Sequence, residues 1–125
     1  MMGMNNSRNF DLLTLGQVLL RLSPPDNERL SRGDTFVKQV GGAELNVAVG
    51  AALLGLHTGV ISKLPAHDIG SFMKGKIRSF GVSDDFFMYD QSSSARVGIY
   101  YYENGAYPRK PKVIYDRNNS SFFSD

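Results

Sequence analysis

With 125 residues, 42% of them hydrophobic and 21% charged, the chain has the composition of one small globular domain. A net charge of +2 is too small to indicate a nucleic-acid partner, and without cysteine there can be no disulfide or thiolate metal site. The two histidines are too few for an ordinary zinc site, so we predict no metal site. The longest apolar stretch, residues 47–56, is well short of the about 20 residues that span a bilayer, so we predict no membrane contact.

The N-terminal residues 1–9 are polar and lack the apolar core of a signal peptide. We therefore predict a disordered tail over residues 1–9 and a cytoplasmic protein. A single domain is expected over residues 10–125.

The first half of the chain predicts alternating strands and helices. Residues 11–15 and 18–22 are strand-like and are divided by Gly16, and residues 35–40 form another extended segment. A helix then begins after Gly41-Gly42 and stops near Gly55, and its apolar stripe comprises Leu45, Ala48, Val49, Ala52, Leu53 and Leu56.

A strand over residues 58–64 follows, and then a helix with Asp68 as its N-cap and Gly81 at its end. This order favours a parallel sheet with helical crossovers. The second half predicts three strands, near residues 86–89, 96–103 and 112–116. The last two could pair as an antiparallel ribbon, with Asn104-Gly105 as the turn signal.

The segment GGAELN at residues 41–46 is the most informative for chemistry. Its two glycines let the backbone approach a ligand closely, and the free N–H groups of a first helical turn donate to oxygen atoms. The amide of Asn46 can both donate and accept. The pattern is compatible with a binding site for a ligand rich in hydroxyl or anionic oxygens. It is also compatible with a tight turn in which Asn46 is a local cap. No Walker lysine or G-x-G-x-x-G pattern is present.

Several short motifs, in one order, extend over almost the whole chain after residue 10. They are GQVLLRLSP at 16–24, GGAELN at 41–46, the alanine-rich helix over 48–56, ISKLP at 61–65, GVS at 81–83, RVGIY at 96–100 and VIYDR at 113–117. Together they resemble the N-terminal part of PfkB-type, ribokinase-like carbohydrate kinases, above all the 2-keto-3-deoxygluconate kinase branch. Gln17 departs from the pattern, because many members have glutamate there.

The resemblance implies an α/β fold: the N-terminal part of a ribokinase-like three-layer sandwich, with a mainly parallel sheet and a small β lid. The lid strands would lie near residues 18–23, 35–40 and 96–117. The implied activity of the complete enzyme is phosphoryl transfer from ATP, with Mg²⁺, to a hydroxyl of a small sugar or sugar acid. The expected acceptor is 2-keto-3-deoxygluconate, and fructose, ribose and nucleosides remain alternatives.

The resemblance also assigns the substrate-binding residues, which are Gly41, Gly42, Asn46, Tyr100, Tyr115 and Arg117. An arginine suits a sugar acid because its planar fork binds both oxygens of a carboxylate. The residues alone instead favour a surface side chain for Arg117, paired with Asp116 or with solvent. Arg96 could belong to the pocket or to the lid.

No catalytic residue is predicted in this chain. The family's catalytic aspartate follows a glycine-alanine-glycine segment that does not occur here. The aspartates that are present, Asp90 among them, lie at predicted turns and caps where solvated carboxylates are expected. We therefore expect the chain alone to be inactive and to bind neither ATP nor Mg²⁺. A homodimer through the lid strands is expected, and a non-catalytic sugar-binding or self-associating lid module is the alternative.

Overall fold

The computed structural model describes residues 10–105 and 108–123. The tail predicted over residues 1–9 lies outside the described residues, and the assignment of residues 10–125 to one domain stays a prediction. Neither helix of the described ranges has the length and hydrophobicity to cross a membrane.

The described residues form eight strands and two α-helices. In chain order they are β1 (Leu12–Leu15), β2 (Leu19–Ser23), β3 (Val37–Gly41), α1 (Ala43–Leu53), β4 (Thr58–Pro65), α2 (Asp68–Ser79), β5 (Val82–Ser83), β6 (Phe87–Asp90), β7 (Ile99–Glu103) and β8 (Lys112–Asp116). Short 3₁₀ turns follow β2 at Pro25–Asn27 and β8 at Ser121–Phe123.

The core sheet is built around β4, which pairs in parallel with β1, β5 and β6. Parallel pairing requires crossovers, and α1 and α2 provide them. Alternate residues of β4 point at these helices, and Val60 and Leu64 are fully buried against Leu45 of α1 and Met73 of α2. Burying a side chain such as Leu64 contributes about 1.5–3 kcal/mol. The predicted α/β class is confirmed.

The second sheet has the order β3-β2-β7-β8. Strands β2 and β7 pair in parallel, whereas β3 and β8 are added antiparallel at the two sides. One face of this sheet packs on the core through Leu20, Val40 and Ile99. The strands lie in or beside the segments that the sequence predicts for a lid.

The predicted antiparallel ribbon is confirmed, because β7 and β8 pair antiparallel, with Glu103 opposite Lys112. Two local predictions are wrong. His67, not Asp68, is the N-cap of α2, and Asp68 is its first helical residue, where its carboxylate interacts favourably with the positive end of the helix dipole. The predicted apolar stripe of α1 does not stay buried at its C-terminal end: Leu53 is 79% exposed, and Leu56 lies beyond the helix.

The junction between β3 and α1 requires glycine. Gly42 has φ 125°, in the region that side chains rarely adopt, and a Cβ there would lie 2.6 Å from the carbonyl oxygen of Gln17. The backbone can therefore pass against the segment before β2 only without a side chain.

Gly42→Ala should destabilise the protein by about 1–3 kcal/mol, the cost of a strained backbone conformation, with the steric contact in addition. Gly50 is the matched control, because it lies within α1 and a Cβ there would meet nothing within 4 Å. Gly50→Ala should stabilise by about 0.5–1 kcal/mol through helix propensity. Denaturant unfolding followed by circular dichroism measures both, and equal effects would contradict this account of the junction.

Candidate functional site

A cavity of about 300 Å³ lies where the start of α1 meets the second sheet. It is lined by Leu19, Gly42, Ala43, Asn46, Tyr100, Tyr115 and Arg117. Five of the six predicted site residues therefore meet in one place. The sixth, Gly41, lies directly behind it, because a Cβ at Gly41 would be 2.5 Å from the Tyr100 hydroxyl. Whether these residues bind a ligand stays a prediction.

The start of α1 forms one wall of this cavity. Gly42 and Ala43 line it with backbone, and the first-turn N–H groups of a helix have no partner within the helix itself. Asn46 closes the first turn by donating its N–H to the Gly42 carbonyl oxygen at 2.9 Å, and its side chain is exposed at the cavity. The wall therefore offers donors and an amide to an oxygen-rich ligand.

The opposite wall is aromatic and cationic. Tyr100 of β7 and Tyr115 of β8 are direct cross-strand partners, with ring centroids 5.9 Å apart. The Arg117 guanidinium lies 5.1 Å from the centroid of the Tyr115 ring, at cation–π distance. The two rings provide flat apolar surface, and Arg117 provides the charge.

Arg117 is not paired with Asp116, which was the alternative left open by the sequence. Asp116 instead forms an ion pair with Arg96 at 3.1 Å. None of the carboxylates in the described ranges forms an ion pair with Arg117. Arg96 itself does not line the cavity. The arginine at the cavity is thus available to an anionic ligand.

A larger adjoining cavity of about 490 Å³ shares Arg117 and the start of α1. Its further lining residues include Leu15, Gln17, Glu44, Phe122 and Phe123. Sequence reasoning missed this side of the site. One feature could have indicated it. Ligands of open α/β sheets bind beyond the carboxyl ends of the strands, and β1 ends at Leu15.

Residues 117–123, here called the strap, carry Arg117 away from β8 and return to the core. Gln17 donates from Nε2 to the Ser120 hydroxyl at 2.7 Å, and both Ser120 and Ser121 are buried. The Ser121 hydroxyl donates to Oδ2 of Asp90 at 2.7 Å. The expectation that Asp90 is simply solvated is therefore wrong, and sequence reasoning missed both serines.

Hydrogen bonds hold the pKa of Asp90 at about 2, below the usual 3.8. The Ser92 side chain is the main cause, followed by the Ser92 backbone N–H and the Ser121 hydroxyl, and Lys63 adds a favourable charge. A carboxylate that accepts such bonds is stabilised in its ionised form.

Because the folded-state pKa of Asp90 is lowered, its contribution to stability is present above about pH 4 and is lost as the pH falls toward 2. The free energy of unfolding should therefore fall more steeply over this range in the unmodified protein than in Asp90→Asn. Denaturant unfolding at pH 6, 4, 3 and 2 measures it. Asp85→Asn is the matched control for the loss of one negative charge. Parallel curves for the unmodified protein and Asp90→Asn would contradict this role of Asp90.

The sequence profile of the pfkB family carbohydrate kinases matches residues 9–125. The 2-dehydro-3-deoxygalactonokinase of Haloferax volcanii is 39% identical over 111 residues, which are 89% of this chain and 34% of that protein. The 5-dehydro-2-deoxygluconokinase of Listeria monocytogenes is 33% identical over 100 residues, 79% of this chain and 30% of that protein.

The crystal structure of 2-dehydro-3-deoxygluconokinase from Thermotoga maritima superposes with a TM-score of 0.85 at 40% identity, covering 91% of this chain and 34% of that one. The chain thus spans about a third of the length of the relatives it matches. The predicted family is confirmed, since the profile covers nearly the whole sequence and the fold agrees. The chain belongs to the pfkB family of carbohydrate kinases.

Proposed function

We propose that this chain is the acceptor-binding part of an ATP-dependent kinase for a sugar acid, with 2-keto-3-deoxygluconate as the first candidate. The observation that carries the proposal is Arg117, which lies at a small cavity beside Tyr100 and Tyr115 with no carboxylate partner among the described residues. The similarity to kinases of 2-dehydro-3-deoxy sugar acids supports it.

The two walls of the cavity suit the two ends of such a ligand. The carboxylate of the acid pairs with the fork of Arg117, which gains strength from two parallel, charge-assisted hydrogen bonds. The hydroxyl groups meet Asn46 and the backbone at the start of α1, and the C–H faces of the sugar lie on the tyrosine rings. A neutral sugar satisfies only the second set of contacts.

Transfer itself requires ATP, Mg²⁺ and an aspartate base in kinases of this kind, and we assign those roles to no described residue. Residues 10–105 and 108–123 contain no group of three or more His, Cys, Asp or Glu side chains that could hold a metal ion. The sequence contains no glycine-alanine-glycine-aspartate segment, and we propose that the 125 residues alone do not transfer phosphate. Because ATP is a cytoplasmic cosubstrate, we also propose the cytoplasm as the site of action.

Arg117→Ala should weaken the use of the sugar acid by about 2–3 kcal/mol, or roughly 30- to 150-fold, because a charge-assisted pair is lost. Asn46→Ala should cost about 0.5–1.5 kcal/mol, since a hydrogen bond to a neutral hydroxyl is weaker. The measurement is KM for the acid, for its neutral carboxamide analogue and for ATP, in the protein expressed from the complete open reading frame.

The matched control is Arg78→Ala, at the exposed C-terminal turn of α2. Only the acid should respond to Arg117→Ala, whereas Asn46→Ala should affect the acid and the amide alike. If Arg117→Ala leaves the preference for the acid unchanged, the sugar-acid assignment fails and a kinase for fructose, ribose or a nucleoside takes its place.

We further propose that the chain forms homodimers through the sheet that carries β8. Strand β8 is an edge of this sheet, and all of its residues are exposed, Val113 and Ile114 included. An exposed apolar edge strand invites pairing with another chain. The same exposed edge also supports the alternative function, in which the chain is a self-associating module and not part of an enzyme.

Ile114→Lys should shift the protein toward monomer, because a charge on an edge strand opposes pairing. Val47→Lys, on the exposed side of α1, is the matched control. Light scattering at several concentrations measures the mass. A protein that is monomeric at every concentration, before any substitution, contradicts the proposed dimer.

A further inference from the structure

Arg96 contacts Asp116, which directly precedes the strap, and Ser121 within it. Its side chain donates from Nη2 to the carbonyl oxygen of Asp116 at 2.9 Å and to the Asp116 carboxylate at 3.1 Å. Its backbone N–H donates to the Ser121 hydroxyl at 3.0 Å, and its carbonyl oxygen accepts from the Ser121 N–H at 2.7 Å. One residue thus closes the loop that contains Arg117.

Ser121 connects this loop to the core sheet. Its hydroxyl accepts from Arg96 and donates to Asp90, which is the last residue of β6. The carbonyl oxygen of Asp90 accepts from the N–H of Ala66, directly after β4. Ser121 is only 2% exposed, so water does not readily replace these bonds.

The segment after Arg96 also supports Arg117 from behind. A Cβ at Gly98 would lie 2.9 Å from the Cβ of Arg117 and 2.8 Å from the side chain of Leu19, which lines the same cavity. The Cβ of Arg117 therefore lies close to Gly98, while its side chain extends toward the cavity over Tyr115. The position of the guanidinium depends on how firmly the strap is held.

We propose that Ser121, together with Asp90 and Arg96, is a positioning residue that sets the preference for acidic over neutral sugars by fixing Arg117 at the cavity. This inference rests on the proposed function, in which Arg117 binds the carboxylate. In the proposed function, the contacts to neutral hydroxyls come from α1, which is anchored in the core by Leu45 and Ala48. Loosening the strap should therefore weaken the binding of the acid and spare the neutral analogue.

Ser121→Ala removes the donor to Asp90 and the acceptor for Arg96, and it should raise Kd for 2-keto-3-deoxygluconate about threefold to tenfold, the loss expected for about one hydrogen bond. Kd for the carboxamide analogue should not change. Ser79→Ala is the matched control, since Ser79 is exposed at the end of α2, where its hydroxyl donates to the Lys76 carbonyl oxygen. Calorimetric titration of the protein from the complete open reading frame measures all of these constants.

A double-mutant cycle with Arg117→Ala separates positioning from a general structural effect. If Ser121 acts through Arg117, the double variant binds the acid no more weakly than Arg117→Ala alone. Additive losses, equal losses for acid and amide, or a Ser121→Ala variant that behaves like Ser79→Ala would each overturn the positioning role.

Arg96→Lys provides a second test if Ser121→Ala does not fold. The arginine side chain is partly exposed, and lysine keeps its charge but loses the Nη2 group that donates to the carbonyl oxygen and to one carboxylate oxygen of Asp116. The same selective loss for the acid is expected, and unchanged affinity for both ligands overturns the inference. If Arg117→Ala itself leaves the acid-to-amide ratio of Kd unchanged, it is the proposed function that fails.

Discussion

The close approach of the backbone at Gly42 to the Gln17 carbonyl oxygen is the constraint on which the site depends. At this point the chain leaves β3, which belongs to one sheet, and enters α1, which packs on the other. Because Gly42 allows the turn without a side chain, the start of α1 reaches the cavity with its backbone exposed. A longer connection would place the same N–H groups away from Tyr100 and Arg117.

The alternation of side chains along a strand gives the second sheet its two roles. In β2, Leu20 packs into the core and its neighbour Leu19 lines the cavity. In β7, Ile99 packs against the core and Tyr100 lines the cavity. The cavity wall is therefore fixed by the burial of the opposite face, since a register slip of one residue would exchange the two sets.

Much of the fold follows from local patterns, which is why most helices and strands could be predicted. Helical periodicity located α1, and Gly55 and Gly81, both with positive φ, follow the two helices at the C-terminal ends that the sequence predicts. The six predicted site residues depended instead on a family resemblance. The residues alone had left Asn46 and Arg117 ambiguous.

The contacts that could not be predicted join residues far apart in the sequence. Gln17 and Ser120 are 103 residues apart, and nothing local to either one indicates the other. Arg109 makes contacts that could not be predicted either. It belongs to a basic cluster typical of a solvated loop, yet its side chain donates to the Asn27 and Asn104 carbonyl oxygens. It also lies 3.8 Å from buried Glu103, whose pKa is lowered mainly by the N–H of Leu30. Such pairings are fixed by the packing of the two sheets. The sequence pattern of a single segment carries no information about that packing.

In the proposed function, the two kinds of recognition at the cavity come from elements with different supports. Asn46 and the backbone before it belong to α1, which is anchored by the fully buried Leu45 and Ala48. Arg117 belongs to the strap, which is anchored by a few hydrogen bonds at Ser120 and Ser121. Changes in the core would disturb the start of α1 together with the fold, whereas Arg117 depends more directly on the hydrogen bonds of the strap. Under the proposed function, the preference for a charged sugar and the contacts to its hydroxyl groups would therefore be controlled by separate parts of the chain.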